Sequence, residues 1–242
     1  MRSQPLYKQV KEQIVESLAR NDWRPGELIP SEKQLASRFG VGISTVRAAI
    51  GELAASRVLI RSQGKGTYVA HHNARGSIYR FFNVVSNGGE KEPFHRELLS
   101  IRRERADAGV AARLHLPAAR GSDVYRLKIR LSASFPRFAY AEIVVPARLF
   151  PGLDARTVPD GAASLYALYQ AKYGVNIVRV DENLYAVRAG AVVARALGVK
   201  RDEPVLQIER LGYTFNDTPV ELRTTWVHTS HYHYFITQGA AG

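Results

Sequence analysis

Residues 31–69 limit what this chain can fold into more than any other stretch. Pro30-Ser31-Glu32-Lys33-Gln34 has the form of a capping box, in which the Ser31 hydroxyl accepts from free backbone N–H groups and Gln34 reaches back to the entry. Leu35, Ala36 and Phe39 follow as an apolar stripe at helical spacing, and Gly40 can end the helix in a left-handed conformation. A second helix is expected over 43–55, with Val46, Ile50 and Leu53 inward and Ser44, Thr45, Arg47 and Ala48 free to face a partner. Residues 58–61 and 67–69 read as two short strands, and Gln63-Gly64-Lys65-Gly66 between them permits a tight hairpin with Lys65 at its tip. Upstream, Leu6, Val10, Ile14 and Leu18 recur every four residues, so a leading helix should end before Pro25-Gly26. Three helices and a wing make a winged helix-turn-helix over residues 1–70, a unit that lays one helix in a DNA groove and a hairpin beside it.

Charge agrees with a polyanionic partner without proving one. The chain carries 34 Lys and Arg against 22 Asp and Glu, net +12, but residues 1–72 hold only 11 basic and 6 acidic residues. The surplus on the second half suits solubility or an anionic small ligand equally well. The absence of cysteine excludes disulfides and thiolate metal sites. The start MRSQPLYKQV lacks the apolar core of a signal peptide, and no stretch approaches the roughly 20 apolar residues of a membrane helix. A soluble cytoplasmic protein without a membrane partner is the expectation.

The 242 residues fit two domains, divided at a polar stretch without periodicity, residues 71–76. In the second domain, 77–242, strands are expected at 81–85, 98–105, 124–132, 138–145, 175–187, 205–215 and 220–229, and helices at 107–116, 162–173 and 189–197, the last two stopped by Gly174 and Gly198. This is an α+β domain, one mostly antiparallel sheet with helices over it.

The runs PLYKQVKEQIVESL, RPGELIPSEKQLASRFGVGISTVRAAIGEL and GKGTYV resemble the DNA-binding domain of the GntR family of bacterial transcription regulators, in its order and spacing over the first 70 residues. The resemblance implies that Lys33, Arg47 and Gly64 touch DNA, with Arg38, Ile43, Ser44, Thr45, Gln63 and Lys65 completing the expected set. Where the family usually has Ser or Thr followed by Arg at the head of the recognition helix, this chain has Gly42 and Ile43. An arginine that reads a base is therefore missing, and Ile43 against a thymine methyl is an apolar alternative.

The second half, over about 77–238, is similar to the UTRA ligand-sensing domain of the HutC subgroup, through AEIVVPARLFPGL, SLYALYQAKYG, ALGVKRDEPVLQIER and TPVEL in that order. This implies a fold like chorismate lyase and a small polar or anionic metabolite effector, a phosphosugar or an organic acid, in a cleft beside the sheet. Carried over, Arg130 matches an anion-binding arginine, with Ser132 where a second one often stands. Ser164 and Tyr166 match a Ser-x-Tyr at a helix start, and Glu142 and Glu221 match carboxylates that hold sugar hydroxyls. Surface or strand-pairing duty is the alternative for Arg130, Glu142 and Glu221.

His228, His231 and His233 lie close in sequence, but tyrosines alternate with them and no carboxylate lies nearby, so a structural strand is expected rather than a metal site. Asp181 and Glu182 are adjacent on an expected strand and should point to opposite faces. No glycine-rich phosphate loop, nucleophile elbow or metalloprotease helix appears, and no cofactor or catalytic residue is assigned. The expectation is a homodimeric transcription regulator that binds double-stranded operator DNA, a repressor by the family's commoner habit, whose affinity a metabolite controls. The alternatives are a lyase-like enzyme fused to a DNA-binding domain and a dimeric regulator without a ligand.

Overall fold

The computed structural model describes residues 4–20, 22–56, 58–70, 81–117, 122–161 and 164–237. The expected linker at 71–76, with His71 and His72, the first residues of the second domain and the first two of the helix expected from 162 lie outside them.

The N-terminal unit contains α1 (Leu6–Ala19), α2 (Glu32–Phe39) and α3 (Ile43–Ala55), followed by the wing strands β1 (Leu59–Ser62) and β2 (Gly66–Val69). Both arms of the capping box form: Gln34 N donates to Ser31 Oγ at 3.3 Å, and Ser31 N donates to Gln34 Oε1 at 2.8 Å. Gly40 ends α2 in the left-handed region, with φ +65°. Val10, Ile14 and Leu18 of α1 meet Leu35 of α2 and Val46, Ile50 and Leu53 of α3 in one apolar core, and Leu59 and Val69 of the wing close it. Leu6, the first of the four-residue series, stays exposed. At the wing tip Gly66 has φ +109°, and a Cβ there would lie 2.6 Å from Leu28 Cδ1. No side chain fits that position without moving Leu28.

The second unit is built on a six-stranded sheet whose order is β4-β5-β6-β9-β8-β7, every pairing antiparallel. Its strands are β4 (His95–Arg105), β5 (Asp123–Ser132), β6 (Ala139–Pro146), β7 (Arg179–Arg188), β8 (Pro204–Tyr213) and β9 (Pro219–Val227). A two-stranded ribbon pairs β3 (Val84–Ser86) with β10 (Tyr232–Tyr234). Helix α5 (Leu165–Tyr173) covers one face, packing Leu165, Tyr166 and Tyr169 on Leu127, Ile129, Ala141 and Ile208. Helices α4 (Ala108–Arg113) and α6 (Ala191–Leu197) cover parts of the other face, against Val124 and Val144 and against Tyr140 and Val205 respectively.

The strand expected over 175–187 starts only at Arg179, because Val175 and Ile177 are used in the core after the left-handed Gly174 that ends α5. Phe81 and Phe82, expected in a strand, precede β3 and pack against the core cluster instead. The two units touch where Phe215, in a short 3-10 turn between β8 and β9, enters the core of the N-terminal unit beside Val178.

Candidate functional site

Two concave surfaces gather some of the polar side chains that sequence reasoning singled out. The first is a groove between the start of α2, the start of α3 and the wing. Lys33, Ile43, Arg47, Gln63, Gly64 and Lys65 all line it. Arg61, on β1, lines it too and was not anticipated; it is the basic side chain of the first wing strand, opposite Thr67. Glu32 organises this basic set. Its carboxylate accepts from Arg47 Nε at 2.9 Å and from Arg61 Nη2 at 3.3 Å, and Arg61 also donates to the Arg47 carbonyl at 3.1 Å. The pairs are largely solvated, worth about 0–1 kcal/mol each, so they pre-aim the guanidiniums more than they hold the fold. Ser44 is exposed and Thr45 half-buried at the head of α3, next to the groove. Arg38 is not among the lining residues, but its guanidinium lies over the ring of Trp23, which is, at 5.5 Å. Gly42 caps α3 without a side-chain hydrogen bond, and Ile43 stands 43% exposed at the head of that helix, in the lining of the groove.

The second surface is a cavity between α5 and its face of the sheet. Its floor is apolar, made by Ile129 and Leu131 of β5, Ala141 of β6 and Ile208 of β8, and Phe81, Phe82 and Phe94 form a wall. Arg96, Arg210 and Arg223 reach into it from three strands, and no carboxylate is among the described residues that line it. The space amounts to about 60 Å³, enough for on the order of five waters at ~10–15 Å³ each, so it suits a small compact molecule.

Behind the lining, each arginine is held. Glu182 accepts from Arg210 Nε at 2.9 Å and Nη2 at 2.7 Å, and also from the Tyr234 hydroxyl. Glu221, fully buried, accepts from Tyr166 at 2.8 Å, Tyr169 at 3.0 Å and Arg223 Nη2 at 2.8 Å. Arg96 is 4% exposed and donates to the Pro159 carbonyl at 2.7 Å. Burial pushes its guanidinium below the usual arginine range, a sign of a charge kept out of water. Arg223 Nε is buried without a hydrogen-bond partner among the described residues. Burial, reinforced by the Glu221 charge, pushes the Tyr166 hydroxyl up to about 12, so it stays protonated and donates to Glu221 while accepting from Arg210 Nη1 at 3.1 Å. Ser164 accepts from Tyr166 N at 3.2 Å as the N-cap of α5, which fixes that helix start over the cavity.

Strand parity separates three of the expected effector residues from this cavity. Because Ile129, Leu131 and Ala141 face the cavity, Arg130, Ser132 and Glu142, each one residue along, face the other side of the sheet. There Arg130 pairs with Glu97 at 2.6 Å, Glu142 with Lys128 at 3.3 Å and the Tyr140 hydroxyl at 2.8 Å, and Ser132 Oγ accepts from Arg137 N at 3.1 Å. Ser164, Tyr166 and Glu221 do belong to the cavity side, Glu221 behind the arginines rather than in the lining. His228 and His231 both lie against the Phe135 ring, His231 stacked on it, and their polar contacts differ: His228 Nε2 lies 3.2 Å from Glu203 Oε1, while His233 Nδ1 lies 3.3 Å from Asn87 Oδ1. Asp181 and Glu182 do point to opposite faces, toward Arg179 and Arg210 respectively.

Comparison with known proteins gives these surfaces a context. The family model described as UTRA domain matches residues 92–233, more than half of the chain, and that described as bacterial regulatory proteins, gntR family, matches residues 6–69. The chain belongs to the GntR family. Its UTRA domain fits the HutC subgroup. Among its relatives are the mannosyl-D-glycerate transport/metabolism system repressor MngR of Escherichia coli, 26% identical over 98% of this chain and 97% of that protein, and the histidine utilization repressor of Klebsiella aerogenes, 29% identical over 85% and 83%. The crystal structure of the ligand-binding domain of a GntR-family regulator from Bordetella bronchiseptica superposes with a TM-score of 0.61 at 34% identity, covering 66% of this chain and 99% of that one.

As a GntR regulator the chain binds DNA through its N-terminal unit and a small-molecule effector through its UTRA domain, and its relatives are regulators of transcription rather than enzymes. Among the described residues no helix is long and apolar enough to cross a membrane. The groove gives a direct expectation. Arg47, with 63% of its side chain exposed, contributes little to folding, and Arg47→Ala should leave the melting temperature unchanged while weakening specific DNA binding by about 1–3 kcal/mol, roughly 5- to 150-fold. Gel-shift titration at fixed salt checks this, and an unaltered affinity would remove Arg47 from the interface.

Proposed function

We propose that the chain is a cytoplasmic, homodimeric repressor that releases its operator when a small organic acid enters the arginine-lined cavity of the UTRA domain. The DNA-binding unit is residues 1–70, the linker 71–76 and the effector domain 77–242. Lys33, Ile43, Arg47, Arg61, Gln63, Gly64 and Lys65 of the groove face the operator, with Ser44 and Thr45 beside them. Repression follows the relatives, each named as a repressor. Dimerisation follows from the small footprint of one winged unit, which two half-sites would double.

The observation that carries the effector class is the meeting of three arginines with an apolar floor and a phenylalanine wall. A planar guanidinium binds two oxygens of a carboxylate at once, and the apolar surface takes a flat or aliphatic body. The floor at the central strands is Ile129, Leu131 and Ala141, and the neutral polar groups of the described lining, Asn83, Ser164, Tyr166, Thr225 and Tyr234, stand around it. A thermal-shift screen of the full chain over aromatic carboxylates, aliphatic carboxylates and phosphosugars tests this. A carboxylate at ~100-fold its Kd should add about 2.7 kcal/mol of stability, and Arg96→Gln should remove the gain. Shifts from phosphosugars alone would overturn the assignment.

A further inference from the structure

The groove beside α3 and the wing has one carboxylate among its described lining residues, Glu32, and it stands between two arginines. DNA gains affinity from each cation it meets, so a negative charge in such a surface weakens binding to any duplex. Glu32 nevertheless holds that place. It is the first residue of α2, where the helix dipole favours an acid, yet among the described residues no backbone N–H of that turn donates to it. Ser31 and Gln34 cap the helix between themselves. One Glu32 oxygen takes Arg47 Nε and the other takes Arg61 Nη2. Those arginines come from α3 and from β1, so a single side chain ties α2, α3 and the wing together.

This grip divides the cations of the groove into two kinds. Arg47 is held at Nε, and its Nη1 and Nη2 make no hydrogen bond among the described residues. That pair of nitrogens is a fork that fits two acceptors on one base edge, such as guanine O6 and N7. Arg61 is held at Nη2 by Glu32 and by the Arg47 carbonyl together. Lys33 and Lys65 also line the groove and form no ion pair among the described residues, so each is a mobile point charge suited to phosphate.

We propose that Glu32 is a positioning residue that sets specificity: it withholds Arg47 and Arg61 from the phosphates of random DNA and holds Arg47 ready for one base pair of the operator. The inference rests on the reading above that this groove faces the operator. It gives the two affinities opposite signs. Removing the charge strengthens the phosphate attraction common to all sequences, whereas an unheld Arg47 must lose its side-chain freedom on binding, which weakens the operator complex.

The test titrates the full chain and its variants onto an operator selected from a random DNA pool and onto a scrambled duplex of equal length. Glu32→Gln should bind the scrambled duplex more tightly and the operator less tightly, lowering the ratio of the two affinities by about fivefold or more, the lower bound for one bidentate base contact. Glu32→Asp keeps the charge but is one methylene too short to reach both guanidiniums, so it should lose operator affinity without gaining on the scrambled duplex. In an Arg47→Ala background, Glu32→Gln should change the ratio by less than about twofold, because the arginine it positions is gone. An unchanged ratio in Glu32→Gln, while Arg47→Ala still weakens operator binding, overturns this inference and leaves the groove reading standing. A ratio that falls equally in both backgrounds would make Glu32 a reader of a base in its own right, through a cytosine amino group, and overturns it too. If Arg47→Ala leaves operator affinity intact, both readings fall.

Discussion

Replacing Glu221 with alanine should cost the C-terminal domain about 3–5 kcal/mol, the usual penalty for removing one partner of a buried ion pair. The carboxylate is fully buried and accepts three hydrogen bonds, from Tyr166, Tyr169 and Arg223. Its loss would strand the Arg223 charge, whose Nε already has no partner among the described residues, and two tyrosine hydroxyls besides. Against the roughly 5–15 kcal/mol that holds an ordinary domain together, that is a large fraction. The measurement is urea unfolding followed through Trp226, whose Nε1 donates to Gln207 within the sheet. Glu221→Gln keeps an acceptor and should fall between wild type and alanine. If the alanine variant unfolds with a wild-type midpoint and loses only its response to a carboxylate, Glu221 faces the ligand and the structural assignment is wrong.

Phe215→Ala should destabilise the other domain, although residue 215 belongs to the UTRA domain by sequence. The ring sits 9% exposed in the core built by Val10, Ile14 and Leu18, at the tip of a turn where Asn216 and Asp217 both take positive φ. Arg179, stacked on Tyr213 at 3.8 Å, braces the turn through a 3.1 Å bond to Asp217. Truncating a buried phenylalanine costs about 3–5 kcal/mol, and this one belongs near the lower end because its site borders solvent. Trp23, on the N-terminal side, reports the loss, while the transition at Trp226 should stay in place. An unchanged Trp23 transition would mean that Phe215 does not complete that core.

This contact also gives the cavity a route to the DNA-binding unit. Arg210 and Glu221–Arg223 sit on the two strands, β8 and β9, whose connecting turn carries Phe215, and Gly212 lies opposite Glu221 in their register. Under the proposed function, an anion that drew Arg210 or Arg223 forward would pull on that hairpin, and packed interfaces pass such shifts on as discrete steps.

The N-terminal unit was legible in the sequence because its signals are local. The capping box, the left-handed Gly40 and the apolar series of α1 each act within a few residues, and each recurs in the structure except for the exposed Leu6. The strands of the second domain were also legible, through alternation and β-branched runs. Which face each strand residue takes was not, because it depends on register against distant neighbours, and a one-residue difference exchanges Arg130 for Ile129 and Glu142 for Ala141. Arg210 and Arg223 read as ordinary solvated strand charges. Their one available signal was parity with buried neighbours, Ile208 for Arg210 and Thr225 for Arg223. Arg96 and Phe215 gave no local sign at all, since the Pro159 carbonyl and α1 that meet them lie far away in sequence.

The central claim is that one ligand site sets the affinity of another. It is tested most directly by titrating the full chain onto an operator, selected from a random DNA pool, with and without the carboxylate that raises its melting temperature most. Saturating carboxylate should weaken operator binding by about 5–150-fold, the operator should weaken carboxylate binding by the same factor, and Arg96→Gln should abolish both effects. Equal operator affinity at zero and saturating carboxylate, with the carboxylate demonstrably bound, would contradict it.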